Sequence, residues 1–164
     1  MKSLILLITV GLVAHLLLLI GCTSQESQMD AQKLTAFATQ YTQAWCSQNA
    51  ASVASFFAEN GSLQINDGDP SIGREAITKA ARGFMTAFPD MIVEMDSLAI
   101  KDHAAEYHWT LSGTNTGPGG TGNSVRISGY EEWTIGADGL IAESKGHFDA
   151  TEYQRQLEYG AYEK

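Results

Sequence analysis

The main change in the spacing of the apolar residues of this chain comes at Pro89, and it points to the fold class. Upstream they recur at helical intervals. Leu34, Phe37, Ala38, Tyr41, Ala44 and Trp45 mark one face of a helix over Ala31 to Gln48. Ile77, Ala80, Ala81, Phe84 and Phe88 do the same over Gly73 to Phe88. Between them, Asn49 suits the cap of a short helix carrying Val53, Phe56 and Phe57. Asn60-Gly61 reads as the turn that ends it, and a brief strand follows at Leu63 to Ile65. Pro89 lacks the N–H that a helix needs and stops the long one.

Downstream the spacing becomes two. Met91 to Ile100 alternates imperfectly, and Lys101-Asp102-His103 suits a turn. Ala105, Tyr107, Trp109 and Leu111 then share one face of a half-buried strand. Val125, Ile127, Gly129, Glu131, Trp133 and Ile135 share one face of the next. Asp138-Gly139 is a hairpin signal, a last strand covers Leu140 to Phe148, and a closing helix covers Ala150 to Tyr159. Helices segregated from an antiparallel sheet make an α+β domain. The Gly-rich stretch Gly113 to Asn123 is a long hairpin loop. It lacks a Gly-Lys-Ser/Thr ending and no helix follows it, which excludes a phosphate loop.

The N-terminus has a different character. Lys2 precedes an almost unbroken apolar run from Leu4 to Ile20, the pattern of a secretory signal. The run is nearly long enough to span a bilayer, so an uncleaved membrane helix is the alternative. It ends in Leu19-Ile20-Gly21-Cys22, which resembles the lipobox of bacterial lipoproteins. That resemblance implies a signal peptide over residues 1–21, a lipid on Cys22, a polar tether through Asp30 and a folded domain over 31–164. It also implies export to the outer membrane or cell surface, since Thr23 and not Asp follows the Cys. With Cys22 acylated, Cys46 has no partner for an intramolecular disulfide. Lys2 is the only charged side chain before Cys22, so the rest holds nine basic and nineteen acidic groups. Such a surface repels phosphate backbones and argues against nucleic-acid binding.

Phe88-Pro89-Asp90-Met91, Ser112-Gly113-Thr114-Asn115-Thr116-Gly117 and Thr121-Gly122 resemble, in order and spacing, the SnoaL-like polyketide cyclase family of the nuclear transport factor two-like fold. Asp138 to Glu143, Phe148-Asp149 and Arg155-Gln156-Leu157 extend the likeness, which covers about residues 32–160. The resemblance implies a cystatin-like cone: a curved antiparallel sheet of about four to five strands, wrapped around helices and enclosing an apolar pocket. Tyr41, Trp45, Phe57, Phe84, Phe88, Trp109, Tyr130 and Trp133 are the aromatic candidates for its wall, with Asn115 as a polar one. The matching position for the cyclases' acid/base Asp is Asp149. Asn115 and Ser144 stand where cyclases often carry His, which departs from a histidine-assisted mechanism.

The residues leave several assignments open. Asp149 and Glu152 also form a capping-box pattern at the start of the last helix. Lys145, His147 and Asp149 share one strand face, as a proton-transfer set or as a solvated outer surface. Glu131 sits on an otherwise apolar face, and a buried charge needs a partner or a function. The catalytic candidates are therefore Asp149, Glu131 and His147. His103, His108 and His147 are too dispersed for a metal site, and no cofactor fingerprint is present. The expected function is a membrane-anchored domain binding a small apolar or carbonyl-bearing ligand. The alternatives are a cofactor-independent lyase or isomerase of the SnoaL-like or ketosteroid-isomerase-like type, and a dimeric interaction module.

Overall fold

A computed structural model describes residues 24–101 and 104–161. The expected signal, the lipidation site at Cys22 and the turn at Asp102-His103 lie outside the described residues. Helix α1 spans Ser24–Cys46, and so begins seven residues earlier than the apolar spacing suggests. Its first turns cover what the sequence presents as a polar tether. Then come α2 (Ala50–Ala54), β1 (Phe57–Ile65), β2 (Ser71–Ile72) and α3 (Gly73–Ala87). A meander of β3 (Ile92–Lys101), β4 (Ala104–Thr114), β5 (Ser124–Ile135) and β6 (Ile141–Phe148) follows, closed by α4 (Ala150–Tyr159). No described helix is long and apolar enough to cross a membrane.

The fold is α+β as expected, but its sheet is larger and mixed. Six strands lie in the order β2-β1-β6-β5-β4-β3, and the sheet does not close. The meander is antiparallel, whereas β1 runs parallel to β6. Parallel neighbours need a long crossover, which α3 and the rest of the meander supply. Asn60-Gly61 is not a turn but part of β1, at a register shift between Phe57 and Ser62. A Cβ on Gly61 would lie 2.7 Å from the Ile141 carbonyl oxygen, so the glycine permits the close approach of β6. Phe57 is thus the first residue of β1 and not part of the preceding helix. Asn49 occupies the N-cap position of α2 with extended backbone, but its side chain makes no capping bond.

Further register shifts bend the sheet, at Met95/Ser97 in the edge strand β3 and at Thr134/Ile135 between the central strands β5 and β6. The concave face of the sheet receives α1 and α3. Tyr41, Val53, Phe57, Ile77, Tyr107, Trp133 and Ile141 are fully buried there. Aromatic rings pack edge to face around Tyr41, with Trp133 at 5.1 Å and Tyr107 at 5.6 Å between centroids. Tyr107 and Trp133 stack at 4.7 Å.

Candidate active site

Strand alternation places Glu131 in the core. On β5, Val125, Ile127, Glu131 and Trp133 are all buried, while Arg126, Ser128, Glu132 and Thr134 are exposed. Glu131 lies opposite Tyr107 of β4 and Gly146 of β6. It is the one acidic side chain among the described buried residues. Three donors from three elements converge on its Oε2. Ser144 of β6 donates at 2.6 Å, Trp133 Nε1 of β5 at 2.8 Å and Tyr41 of α1 at 3.1 Å. Oε1 has only a long contact of 3.4 Å to the Tyr41 hydroxyl.

Burial raises the Glu131 pKa above its ordinary value, and the bonds from Ser144, Trp133 and Tyr41 oppose that rise in part. Tyr41 is pushed far up by its own burial and by the Glu131 charge. Tyr107 is also raised, chiefly by burial, and its hydroxyl pairs with Thr42 at 2.7 Å. The site therefore holds one weakened acid among hydroxyls that stay protonated.

Glu131 lines a half-open cavity of about 60 Å³ within the curve of the sheet. A single water needs at least about 10–15 Å³ of such space, so the volume holds more than one water and suits a small organic molecule. Of the expected wall residues, Trp45, Phe84 and Trp109 line it. Tyr41, Phe57, Phe88 and Trp133 are fully buried core around it and not part of its wall. Tyr107, Phe148 and Tyr153 complete the aromatic wall, with aliphatic side chains including Leu63 and Val93. Tyr107 was legible as the same-face neighbour of Trp109, and Phe148 as the end of the last strand. Tyr153 lies on α4, whose buried face includes a polar residue, Gln156, bonded to the Arg126 amide at 2.7 Å.

The remaining candidates are elsewhere. Tyr130 points to the opposite, outer face of the sheet, where it stacks on His147 at 4.8 Å. His147 approaches Glu132 at 3.6 Å, and Lys145 approaches Glu143 at 3.2 Å. The sheet thus separates Lys145 and His147 from Glu131. Asp149 is exposed at the N-cap of α4 and accepts the Glu152 amide at 2.9 Å. Only half of the capping box forms, because Glu152 turns to Arg155 and Gln156, which hold its pKa down at about 2. Asp149 borders a separate outer groove with Asn66, Asp67 and His147. Asn115 is buried in the Gly-rich loop. Its side chain accepts the Thr121 amide at 2.8 Å and donates to the Ala87 carbonyl at 3.2 Å, so it organises the loop. In the same loop a Cβ on Gly117 would meet the Thr86 carbonyl oxygen at 2.0 Å.

Residues 35–157 match the family model described as SnoaL-like polyketide cyclase. No curated protein matches the sequence. Solved structures share the fold at low identity. A phenazine biosynthesis-related protein from Pseudomonas aeruginosa superposes with a TM-score of 0.70 at 14% identity, covering 88% of this chain and 93% of that one. A protein with a ketosteroid isomerase-like fold from Catenulispora acidiphila, in complex with trimethylamine, gives 0.67 at 14% identity, over 74% and 91%. The epoxide hydrolase/cyclase-like enzyme SalBIII, of pyran ring formation in the polyether salinomycin, gives 0.59 at 18% identity, over 78% and 96%.

Proposed function

The chain belongs to the SnoaL-like polyketide cyclase family, and on that premise we propose that it binds a small, apolar, carbonyl-bearing molecule in its cavity and moves a proton on it without a cofactor. The reaction class is isomerase or lyase, with Glu131 as the acid–base group. The observation that carries this reading is a buried glutamate lining an aromatic cavity, with three donors on one carboxyl oxygen and the other nearly free. Burial weakens the acid and so strengthens its conjugate base, which is what removing a proton beside a carbonyl requires. Oε2 is held in place by its donors, leaving Oε1 to exchange the proton. The ketosteroid isomerase-like and cyclase-like neighbours support the reaction class by their names, on the fold alone.

The test is deuterium exchange into small ketones. The full-length chain in deuterated buffer accelerates exchange beside the carbonyl, Glu131→Gln abolishes it, and Asp149→Asn leaves it intact. Exchange that survives Glu131→Gln and disappears in Asp149→Asn would transfer the role to the family's Asp position. A binding-only role is the second reading. It is favoured by Asn115 and Ser144 standing where cyclases often carry His, and it predicts saturable binding with no exchange in any variant. We also propose that a lipid on Cys22 holds the domain at a membrane surface after export. Cys22→Ser then moves the chain from the membrane to the soluble fraction, and unchanged fractionation rejects the anchor.

A further inference from the structure

The cavity wall carries few polar hydrogens, and most are spent. Four lining side chains bear one: Trp45, Tyr107, Trp109 and Tyr153. The Trp45 indole serves the Tyr41 hydroxyl. The Tyr107 hydroxyl is shared with Thr42 at 2.7 Å. Tyr153 comes from α4 and is only half-buried, so water can reach its hydroxyl. The Trp109 Nε1–H is different. Its nitrogen is shielded from solvent and has no hydrogen-bond partner in the structure. A buried donor left unmade is costly, and such groups are rare enough to need a reason.

The sheet holds this ring beside the carboxylate. Trp109 pairs with Gly129 and Tyr107 pairs with Glu131, so Trp109 and Glu131 are diagonal neighbours on the same concave face. Gly129 is what admits the ring. A Cβ there would lie 2.6 Å from Trp109 Cζ2 and 2.4 Å from the His147 carbonyl oxygen. The indole therefore lies against the sheet one residue pair away from the acid–base group.

We infer that Trp109 is the residue that reads the ligand's oxygen: its Nε1–H donates to a carbonyl oxygen of the bound molecule, and so fixes which carbon faces Glu131. The inference rests on the proposed proton-transfer reading and assigns to it a ligand class, a compact ketone or aldehyde and not a hydrocarbon of the same shape. Trp109 acts as a specificity-determining donor, and Glu131 retains the proton.

The probe pair is cyclohexanone and methylenecyclohexane, which share a shape and differ in the acceptor. With the ¹⁵N-labelled full-length chain, cyclohexanone shifts the Trp109 indole N–H resonance downfield, and methylenecyclohexane does not. Trp109→Phe binds cyclohexanone roughly three- to tenfold more weakly than wild type, the range expected for one net hydrogen bond. It binds methylenecyclohexane as wild type does. The wild-type resonance needs no substitution, so the test survives a variant that folds poorly. Equal binding of cyclohexanone to both proteins with an unmoved indole signal overturns the inference, as does failure of cyclohexanone to bind wild type. If ketone binding depends on Trp109 while deuterium exchange ignores Glu131→Gln, the donor assignment stands and the acid–base reading falls.

Discussion

Replacing Glu131 separates its two roles, as an acceptor for three donors and as a buried charge. Glu131→Ala removes the acceptor from Ser144 Oγ, Trp133 Nε1 and Tyr41 Oη, whose side chains are 0%, 1% and 0% exposed. Orphaning a buried donor costs about 1–3 kcal/mol. The hydroxyls of Ser144 and Tyr41 can turn and water can enter from the cavity, so the sum falls near the low end, at roughly 3–5 kcal/mol. For a domain of this size that lowers Tm by about 10–20 °C. Glu131→Gln keeps a carbonyl oxygen before the same donors and removes the charge, so its cost at pH 7 is below about 1 kcal/mol or reversed in sign. The pH dependence then identifies the charge. The folded-state pKa of Glu131 is raised, so the folded protein holds the proton more tightly than the unfolded chain. Its contribution to stability is fully present below the unfolded value near 4.5 and is lost as pH rises through the folded value. Each tenfold weakening of the acid corresponds to about 1.4 kcal/mol of this loss. Urea unfolding of wild type, Gln and Ala variants between pH 4 and 8 measures it. The Gln variant gains on wild type as pH rises, and the Ala variant stays far below both. A Gln variant as unstable as Ala, or a Gln-to-wild-type difference independent of pH, refutes the reasoning.

Three further outcomes follow from other parts of the structure. Asp149→Ala loses the bond to the Glu152 amide and costs about 1 kcal/mol in thermal unfolding, whereas Asp149→Asn, an equally good cap, costs only a few tenths; equal losses would deny the cap. Gly83 in α3 is exposed with nothing near its Cβ position, so Gly83→Ala stabilises by about 0.5–1 kcal/mol, while Gly117→Ala costs about 1–3 kcal/mol by its overlap with the Thr86 carbonyl. Chemical denaturation of the pair reads the contrast directly, and similar effects would disprove the packing of the Gly-rich loop on α3. Asp90 accepts the Thr114 amide at 2.7 Å, which holds its pKa below 3.8. Its contribution is present above that pH and lost as pH falls, the reverse of Glu131. Because Asp90 is exposed the effect stays under about 1 kcal/mol, and it vanishes in an acid titration of Asp90→Asn.

The fold was legible where one period ruled a whole segment. The helical spacing up to Phe88 and the alternation of β4 and β5 place α3, the concave face and all but the first seven residues of α1. Glu131 was legible for the same reason, as a charge on an apolar face. β1 was not. Its middle, Ala58-Glu59-Asn60-Gly61-Ser62, lacks alternation because a register shift interrupts it, and Asn-Gly carries the chemistry of a turn. The parallel pairing was equally hidden, since it depends on β6 some eighty residues later. Asp149 could not be assigned from spacing, because one residue past Phe148 the period changes from strand to helix. His147 and Lys145 illustrate the cost of a face without a reference. Their two-residue spacing groups them correctly, but only the burial of the flanking Ser144 and the intervening Gly146 reveals which side is inside.

The carboxylate that lines the cavity is also a tie. Its three donors come from α1, β5 and β6, so the position of the long helix against the sheet depends on a side chain that also lines the cavity. An apolar residue at 131 would leave those donors empty, while a neutral amide would satisfy them without a buried charge. The charge is therefore not what the tie requires. What a carboxyl adds beyond an amide is a proton it can give up and take back, and the weak acid created by burial sits beside an indole N–H that has no acceptor of its own. Folding alone explains neither the charge nor the empty donor. On the function proposed above, a bound carbonyl compound would account for both, its oxygen filling the donor and its acidic carbon meeting the base.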